Sequence, residues 1–477
     1  EQAAHVVLGT NSISDTTAQD DNRNNHRFRP RGCYYEGNRL KFNVAGTNFG
    51  TCSTAYDCIC RVRGATHALK RAQQLMVMSP DFHAANEPTP LLEPRPQPAS
   101  TVSLGRPYKA LVVLFLQGGL DSWNLLVPKS GCIPGNFTTN YEQYERTRGI
   151  VAIPQDQLLS VNAPTTSQAH SVCSTFGVHP ALTSVQSLYN AGDAAFLANT
   201  GTLVRPLTKA QFSDRSIPRP PSLFAHNIQV RCTQSVHAQS TAATGVLGRV
   251  VDALVEAPPA PPPASASSPP PPPSPFKTGA YSLAGIKKML DGERPPNMLD
   301  QSGAVRLSEV EKLRPLISNM TSGRMRSVFA DTFASMIESS IDSSERLGNV
   351  LESVSVQSTR WTDTDGNGRV NNNDNQAPHR CLTICRQFEQ VARVIASRSV
   401  LEEERQVFYL ELGGFDTHSS ALETVQTKLE QINVALTAFA DEMRLQGVWD
   451  QVAVLTSSDF ARTLDSNGAG TDHAWGG

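Results

Sequence analysis

The sequence predicts an α/β fold in which helices cover both faces of a mostly parallel sheet. Residues 111–116 form a continuous apolar run of strand length, which is typical of a strand buried on both faces. A second such run, residues 407–412, precedes a segment with apolar residues at helical spacing and then a third strand, residues 452–455. A strand–helix–strand unit of this kind favours parallel pairing. The apolar positions of the helix are Leu422, Val425, Leu429, Ile432, Leu436, Phe439 and Met443.

Composition along the chain divides it into segments. Residues 1–32 are polar and are expected to be mobile, and residues 33–83 are expected to form a small cysteine-rich element. Disulfides would tie its β structure, and a zinc site is the alternative use of its thiols. Residues 84–105 read as a proline-rich linker to a main domain at residues 106–477. Within that domain, residues 257–276 hold proline runs that predict an exposed polyproline insertion, available to extracellular matrix or surface partners.

Charge and cysteine content limit the classes of function. The formal net charge is −2, which argues against a nucleic-acid-binding protein, and no apolar run is long enough for a transmembrane helix. Nine cysteines occur together with two glycosylation sequons, at Asn136 and Asn319. This combination favours a secreted or cell-surface protein, while a cytosolic protein with inert cysteines is the alternative.

Acidic and histidine side chains gather in loops that follow the predicted strands. The carboxyl ends of parallel strands meet at one edge of a sheet, where ligands bind in folds of this class. Carboxylates and imidazoles are the ligands of divalent zinc, manganese or magnesium, and two such ions can clamp a phosphoryl or sulfuryl group. Helix caps and turns are the alternative role for each residue taken alone. The candidate metal ligands are Asp121, Asp416, His418, Asp459, Asp472 and His473.

Residues 363–374 match the twelve-residue calcium loop of EF-hand proteins. Gly368 occupies the position of the sharp turn, and Val370 occupies the apolar anchor position. The last ligand is an aspartate rather than a glutamate, as in dockerin-like loops, so weaker binding is expected. A plain Asn/Asp-rich turn is the alternative. The predicted calcium ligands are Asp363, Asp365, Asn367, Arg369 through its carbonyl oxygen, Asn371 and Asp374.

Several motifs, in order and with matching spacing over residues 106–477, resemble those of the domain-of-unknown-function 1501 family. The resemblance implies a fold related to alkaline phosphatases and sulfatases, with a metal centre at the carboxyl edge of the sheet. Carried over by position, Asp121, Asp416, His418, Asp459 and His473 would hold the metal. The motifs are Gln117-Gly-Gly-Leu-Asp-Ser122, Phe176-Gly-Val-His-Pro-Ala181, Leu223-Phe-Ala-His-Asn-Ile-Gln229, Gly245-Val-Leu-Gly-Arg249, Gly413-Gly-Phe-Asp-Thr-His418, Ser458-Asp-Phe-Ala-Arg462 and Gly470-Thr-Asp-His473.

The sequence departs from the family pattern at three positions, one of which is Ala461, where the late motif usually has a glycine. Ala225 stands where the family commonly has a serine, and Asp459 stands where it usually has a glutamate. Ser122 is the candidate nucleophile that could replace the family serine, and capping a helix is its alternative role. Two hypotheses follow: a secreted metal-dependent hydrolase of small-molecule or glycan esters of phosphate or sulfate, or a non-catalytic calcium-binding extracellular protein. The intact Asp/His set favours the first, and Ala225 favours the second.

Overall fold

The computed structural model describes most of the chain beyond residue 101. The described residues are 102–132, 139–163, 173–214, 216–256, 275–358, 361 and 382–476, with shorter segments at 15–20, 32–36, 39–43, 72–73, 76–77, 79, 82 and 90–94. The calcium loop, Asn136, the cysteines at 52, 58 and 60 and most of the proline-rich insertion lie outside them.

The strands are, in chain order, β1 Asp15–Asp20, β2 Gly32–Glu36, β3 Arg39–Asn43, β4 Pro90–Pro94, β5 Lys109–Gln117, β6 Leu126–Cys132, β7 Leu159–Asn162, β8 Cys173–Val178, β9 Thr278–Ser282, β10 Asn297–Asp300, β11 Gly303–Ala304, β12 Gly323–Met325, β13 Arg405–Gly413, β14 Val452–Ser458, β15 Arg462–Ser466 and β16 Thr471–His473. The helices are α1 Ser122–Leu125, α2 Asn140–Arg148, α3 Thr183–Ala191, α4 Lys209–Ser213, α5 His226–Ser235, α6 Val246–Glu256, α7 Val310–Thr321, α8 Val328–Glu352, α9 Leu382–Ala396, α10 Arg398–Leu401 and α11 Ala421–Leu445.

The chain divides into two compact units. The smaller unit comprises residues 1–98 and 307–341, and the larger comprises residues 99–306 and 342–477. In the smaller unit, β3 pairs with β1 in parallel and with β2 antiparallel, and β4 pairs antiparallel with β12. Asn319, one of the two predicted glycosylation sites, is exposed on α7 of this unit.

The larger unit is built on a six-stranded sheet with the order β11-β10-β9-β13-β5-β14. The strands from β10 to β14 in this order run parallel, and only β11 is antiparallel. The predicted mixed α/β architecture with a mostly parallel sheet is therefore confirmed. The predicted runs at residues 111–116 and 407–412 lie within β5 and β13, which pair side by side at the centre.

Alternating side chains of the central strands pack against helices on opposite faces. Val112, Leu114 and Phe408 belong to a core shared with α9 and α11, while Val113 and Phe115 pack in a second core with α6. The two central strands are therefore apolar on both faces, which explains their unbroken apolar sequence. None of the helices in the described part of the chain has the length and apolar character needed to cross a bilayer.

Disulfide bonds occur in the larger unit. Cys132 and Cys173 are bonded and join β6 to β8, and Cys385 on α9 is also disulfide-bonded. Cys232 is a buried free thiol. In the described part of the chain, Cys132, Cys173 and Cys385 are therefore engaged in disulfide bonds.

A buried carboxylate holds the beginning of the larger unit against the sheet. Glu404 is 3% exposed and accepts hydrogen bonds from the backbone N–H groups of Leu104, Arg106 and Lys277 and from the guanidinium of Arg106. Burial raises the pKa of Glu404, but the hydrogen bonds from Arg106 and from the backbone outweigh it and lower the pKa to about 2. The ionised form is therefore the one that the fold stabilises.

We expect Glu404→Gln to lower the free energy of unfolding by about 2 kcal/mol at pH 7, because charge-assisted hydrogen bonds become neutral ones. The pKa is lower in the folded than in the unfolded chain, so this stabilisation is complete above about pH 5 and is lost as the pH falls towards 2. Urea denaturation at pH 7 and pH 3 measures both effects. Glu402→Gln, at an exposed ion pair with Lys277, is the control. An equal loss for the two variants would contradict the assignment.

Candidate metal centre

The loops after β5, β13 and β14 meet at the carboxyl edge of the sheet. Gly118 and Gly119 follow β5 with φ angles of +119° and +80°, and their backbone N–H groups donate to Asp459 Oδ1 at 2.9 and 2.7 Å. A Cβ atom at Gly118 would lie 2.5 Å from the backbone nitrogen of Asp416. Glycine is required here because the first loop touches the backbone of the second.

Three imidazoles and one carboxylate converge at this edge. Asp416 Oδ1 lies 3.4 Å from Nε2 of His226, 3.1 Å from Nε2 of His418 and 3.4 Å from Nε2 of His473. The Nε2 atom of His473 is 3.1 Å from that of His226 and 3.0 Å from that of His418. His226, Asp416 and His473 form a compact triangle of potential metal ligands, and His418 adjoins one of its edges.

The other ring nitrogen of each histidine is held by an acceptor. Nδ1 of His473 lies 2.7 Å from the carbonyl oxygen of Phe224, to which it must donate. Nδ1 of His226 lies 2.5 Å from Asp459 Oδ2, and Nδ1 of His418 lies 3.1 Å from Asp472 Oδ1. These partners assign the N–H to Nδ1, so that the Nε2 lone pairs point towards one another.

Nε2 atoms that lie 3.0–3.1 Å apart and 3.1–3.4 Å from a carboxylate oxygen repel one another through their lone pairs unless a proton or a metal cation lies among them. The spacing also fits a metal: with bonds of 2.0–2.1 Å, adjacent ligand atoms of a tetrahedral zinc site are separated by about 3.3 Å. Histidines that bind metal through one nitrogen and donate from the other to a carboxylate or carbonyl are usual in such sites. The residues present therefore fit a divalent metal ion.

One buried arginine holds the three loops around the triangle. Arg462 is fully buried; its Nε donates to the carbonyl of Gly119, its Nη1 to that of Thr471, and its Nη2 to Gly118, Phe415 and Asp416 Oδ1. The pairing of β15 with β16 places Arg462 opposite His473.

The charge of Arg462 also keeps Asp416 ionised. Partial burial raises the pKa of Asp416, but the hydrogen bond and charge of Arg462, with smaller contributions from His226 and His418, lower it to about 2. Asp416 is about half exposed, so the ionised carboxylate stays open to solvent and to a metal ion.

The structure distributes the six predicted metal ligands over three roles. Asp416, His418 and His473 offer atoms to the converging set. Asp459 and Asp472 stand behind histidines instead, and both oxygens of Asp459 are already used as acceptors. Each of these two aspartates is therefore placed as an orienting partner of a histidine.

Asp121 and Ser122 lie apart from the converging histidines and Asp416. The carboxylate of Asp121 is fully buried and forms an ion pair with buried Arg148. Burial raises the pKa of Asp121 although Arg148 opposes this. The Ser122 hydroxyl is buried without a hydrogen-bond partner in the structure, at the start of α1. Neither side chain offers an atom to the converging set, so the expected metal role of Asp121 is not supported by its placement.

His226 was missed as a ligand by the sequence reasoning. It begins α5, directly after Ala225, and the ring of Phe460 packs against both His226 and His473 at 4.5 and 4.6 Å. No strand precedes α5 closely, so the rule that ligands follow strands did not select it. The signal was its place in a family motif, Leu223-Phe-Ala-His-Asn-Ile-Gln229.

A family model described as protein of unknown function (DUF1501) matches residues 108–477. The chain belongs to this family. The matched residues include the whole candidate metal centre and its neighbours Asp459, Phe460 and Arg462. Searches among curated proteins and among solved structures gave no match.

We expect Arg462→Met to lower the free energy of unfolding by about 3 kcal/mol or more, because it leaves Asp416 and several loop carbonyls without their buried donor. The same variant should lose metal, since the loops that carry the ligands are no longer tied. Denaturant unfolding and metal content measure the two effects. Arg444→Met, at an exposed ion pair on α11, should cost less than about 1 kcal/mol. Similar losses for both variants would refute the role of Arg462.

Proposed function

We propose that this chain is a secreted zinc-dependent hydrolase of phosphate or sulfate esters. The observation that carries the proposal is the convergence of three Nε2 atoms on one carboxylate oxygen, with each Nδ1 tied back to an acceptor. Imidazole-rich sets suit zinc better than magnesium or manganese, which prefer oxygen ligands. The resemblance to alkaline phosphatases and sulfatases supports the same site and the same class of ester.

The described residues favour one metal ion at this centre rather than two. The Nε2 atom of His473 borders both His226 and His418, and an imidazole nitrogen has one lone pair to give. His226, Asp416 and His473 then serve as protein ligands, with His418 as the adjacent fourth donor. Histidines between about a quarter and a half exposed leave the site open to substrate.

Hydrolysis needs a polarised ester and an activated water. His226, Asp416 and His473 would hold the zinc ion, which would supply Lewis-acid chemistry to a water molecule and to the ester. The water oxygen bonds to phosphorus or sulfur as the bond to the alcohol oxygen breaks. One water proton ends on the alcohol, and the other leaves with the released anion. Asp459, Asp472 and the Phe224 carbonyl fix the imidazole rings throughout, so that their Nε2 atoms keep one geometry.

Direct attack by water is the route that this chain's residues support. Ala225 is the N-cap of α5 and has no hydroxyl beside His226, whereas the family serine would place one there. Ser122, the other candidate nucleophile, is buried beside Asp121. The absence of the serine leaves all the proposed metal ligands in place. It removes a mechanism with a covalent serine intermediate, but it does not remove the proposed metal centre.

Secretion is supported by the covalent links of the larger unit. Cysteines 132 and 173 are bonded to each other, and Cys385 is bonded as well. Disulfides of this kind form and persist mainly in oxidising compartments. Asn319 is exposed and accessible to a glycan. The proline-rich insertion remains the proposed contact for surface partners.

We expect the purified chain to hold about one zinc ion, and His226→Ala or His473→Ala to lose it, because each removes one ligand of the triangle. Mass spectrometry of bound metals measures this. The zinc-loaded chain should hydrolyse 4-nitrophenyl phosphate or 4-nitrophenyl sulfate, and both variants should lose at least ~100-fold in rate. His237→Ala, at an exposed histidine outside the centre, is the control. A chain that binds zinc but hydrolyses none of these esters would contradict the proposed hydrolase function and favour the non-catalytic hypothesis.

We also propose that residues 363–374 bind calcium independently of this centre. Asp363→Ala combined with Asp365→Ala should weaken calcium binding at least tenfold from a dissociation constant of ~10⁻⁴ M, because two carboxylates leave the coordination shell. Isothermal titration calorimetry with calcium alone measures the change. Asn373→Ala, at a position of the loop that offers no ligand, should bind as the unaltered chain does. Equal calcium binding by the unaltered chain, the double variant and Asn373→Ala would contradict the proposal that this loop binds calcium.

A further inference from the structure

A cavity of about 470 Å³ is lined by the last residues of α4 and by the segment that leads into α5. Its walls include Phe212, Ser216, Arg219, Ser222 and Phe224. Phe224 connects the two sites, since its carbonyl oxygen accepts the Nδ1–H of His473. Phe224 also lies two residues before His226, so the Cα atoms of these two residues are at most about 7 Å apart.

Aromatic and polar groups alternate on the cavity walls. The rings of Phe212 and Phe224 are tilted with their centroids 6.0 Å apart, and Phe224 is 43% exposed. The guanidinium of Arg219 lies 5.0 Å from the ring of Phe212 and donates to the carbonyl of the same residue at 2.7 Å. Arg219 is thereby held at the wall. Ser222 belongs to the same lining, as does Ser216, whose hydroxyl is hydrogen-bonded to Asp214.

This combination selects an occupant that is both ring-shaped and polar. A purely apolar ring would cover the Ser222 hydroxyl and the guanidinium N–H groups of Arg219 that do not bond to Phe212 without giving them acceptors, which costs binding free energy. A bare anion would leave the phenyl faces unused. A sugar ring satisfies both sets, because its C–H face packs on phenyl rings while its hydroxyls exchange hydrogen bonds with serine and arginine. The cavity also has the size of ordinary small-molecule sites.

We propose that this cavity binds the sugar ring of a sugar phosphate or sugar sulfate, whose ester group then reaches the metal centre. The inference rests on the proposed hydrolase function and narrows its substrate class. The ring supplies binding at the cavity, and the ester supplies the reacting atom at the triangle of His226, Asp416 and His473. Placement of the ester by a remote ring is a common use of binding energy.

The test compares two ester classes on the zinc-loaded full chain. Glucose 6-phosphate and glucose 6-sulfate carry a sugar ring, whereas 4-nitrophenyl phosphate and 4-nitrophenyl sulfate carry an apolar ring. Phe212→Ala should raise KM for the glucose esters about tenfold with a smaller change in kcat, because Phe212 contacts no metal ligand. Arg219→Gln is the second variant and should act in the same direction. Ile286→Ala, 91% exposed and outside the cavity, should leave KM unchanged.

Saturation-transfer NMR with glucose 6-sulfate provides a readout that does not need turnover. If the signal from the ring protons falls in Phe212→Ala and Arg219→Gln but not in Ile286→Ala, the sugar site is supported. If no ester is hydrolysed at the same time, the proposed hydrolase function is contradicted while the sugar site stands. Hydrolysis of glucose esters that neither cavity variant alters overturns the sugar site and leaves the hydrolase. A KM effect confined to the 4-nitrophenyl esters identifies an apolar occupant and also overturns it.

Discussion

The buried guanidinium of Arg462 is the constraint on which the metal centre depends. It ties together the loop after β5, the loop after β13 and the hairpin of β15 and β16 through carbonyl oxygens and Asp416. A charge removed from water in this way is stable only when every donor is used, and here the donors are spent on the backbone that carries the ligands. The positions of Asp416 and His473 are therefore fixed by the fold itself, as a candidate metal centre requires.

The contacts of residues 458–462 explain why these residue types occur together. Asp459 orients His226 and accepts the glycine N–H groups, Phe460 packs against two of the imidazoles, and Arg462 joins the loops. Each residue supports the centre without offering an atom to the metal. The shorter Asp459 in place of the family glutamate is compatible with this role, since its carboxylate reaches both the imidazole and the backbone.

Ala225 stands where the resemblance to the family implies a serine, and under the proposed function this difference affects chemistry more than structure. Ala225 caps α5 without a side-chain hydrogen bond, yet the backbone N–H groups of residues 228 and 229 still bond to its carbonyl, and His226 remains at the start of the helix. The difference that favoured the non-catalytic hypothesis therefore leaves the converging histidines and Asp416 in place.

The sequence by itself determined the sheet and the location of the site. Unbroken apolar runs specified β5 and β13, since only strands buried on both faces tolerate them, and the run of apolar positions from Leu422 to Met443 specified α11. Parallel strands then placed Asp416, His418 and Asp459 at one edge. Only the tertiary structure decided which side chains face one another. It added His226 from a helix far along the chain, moved Asp459 and Asp472 behind histidines and paired Asp121 with Arg148, because the orientation of a side chain depends on contacts that local sequence spacing does not encode.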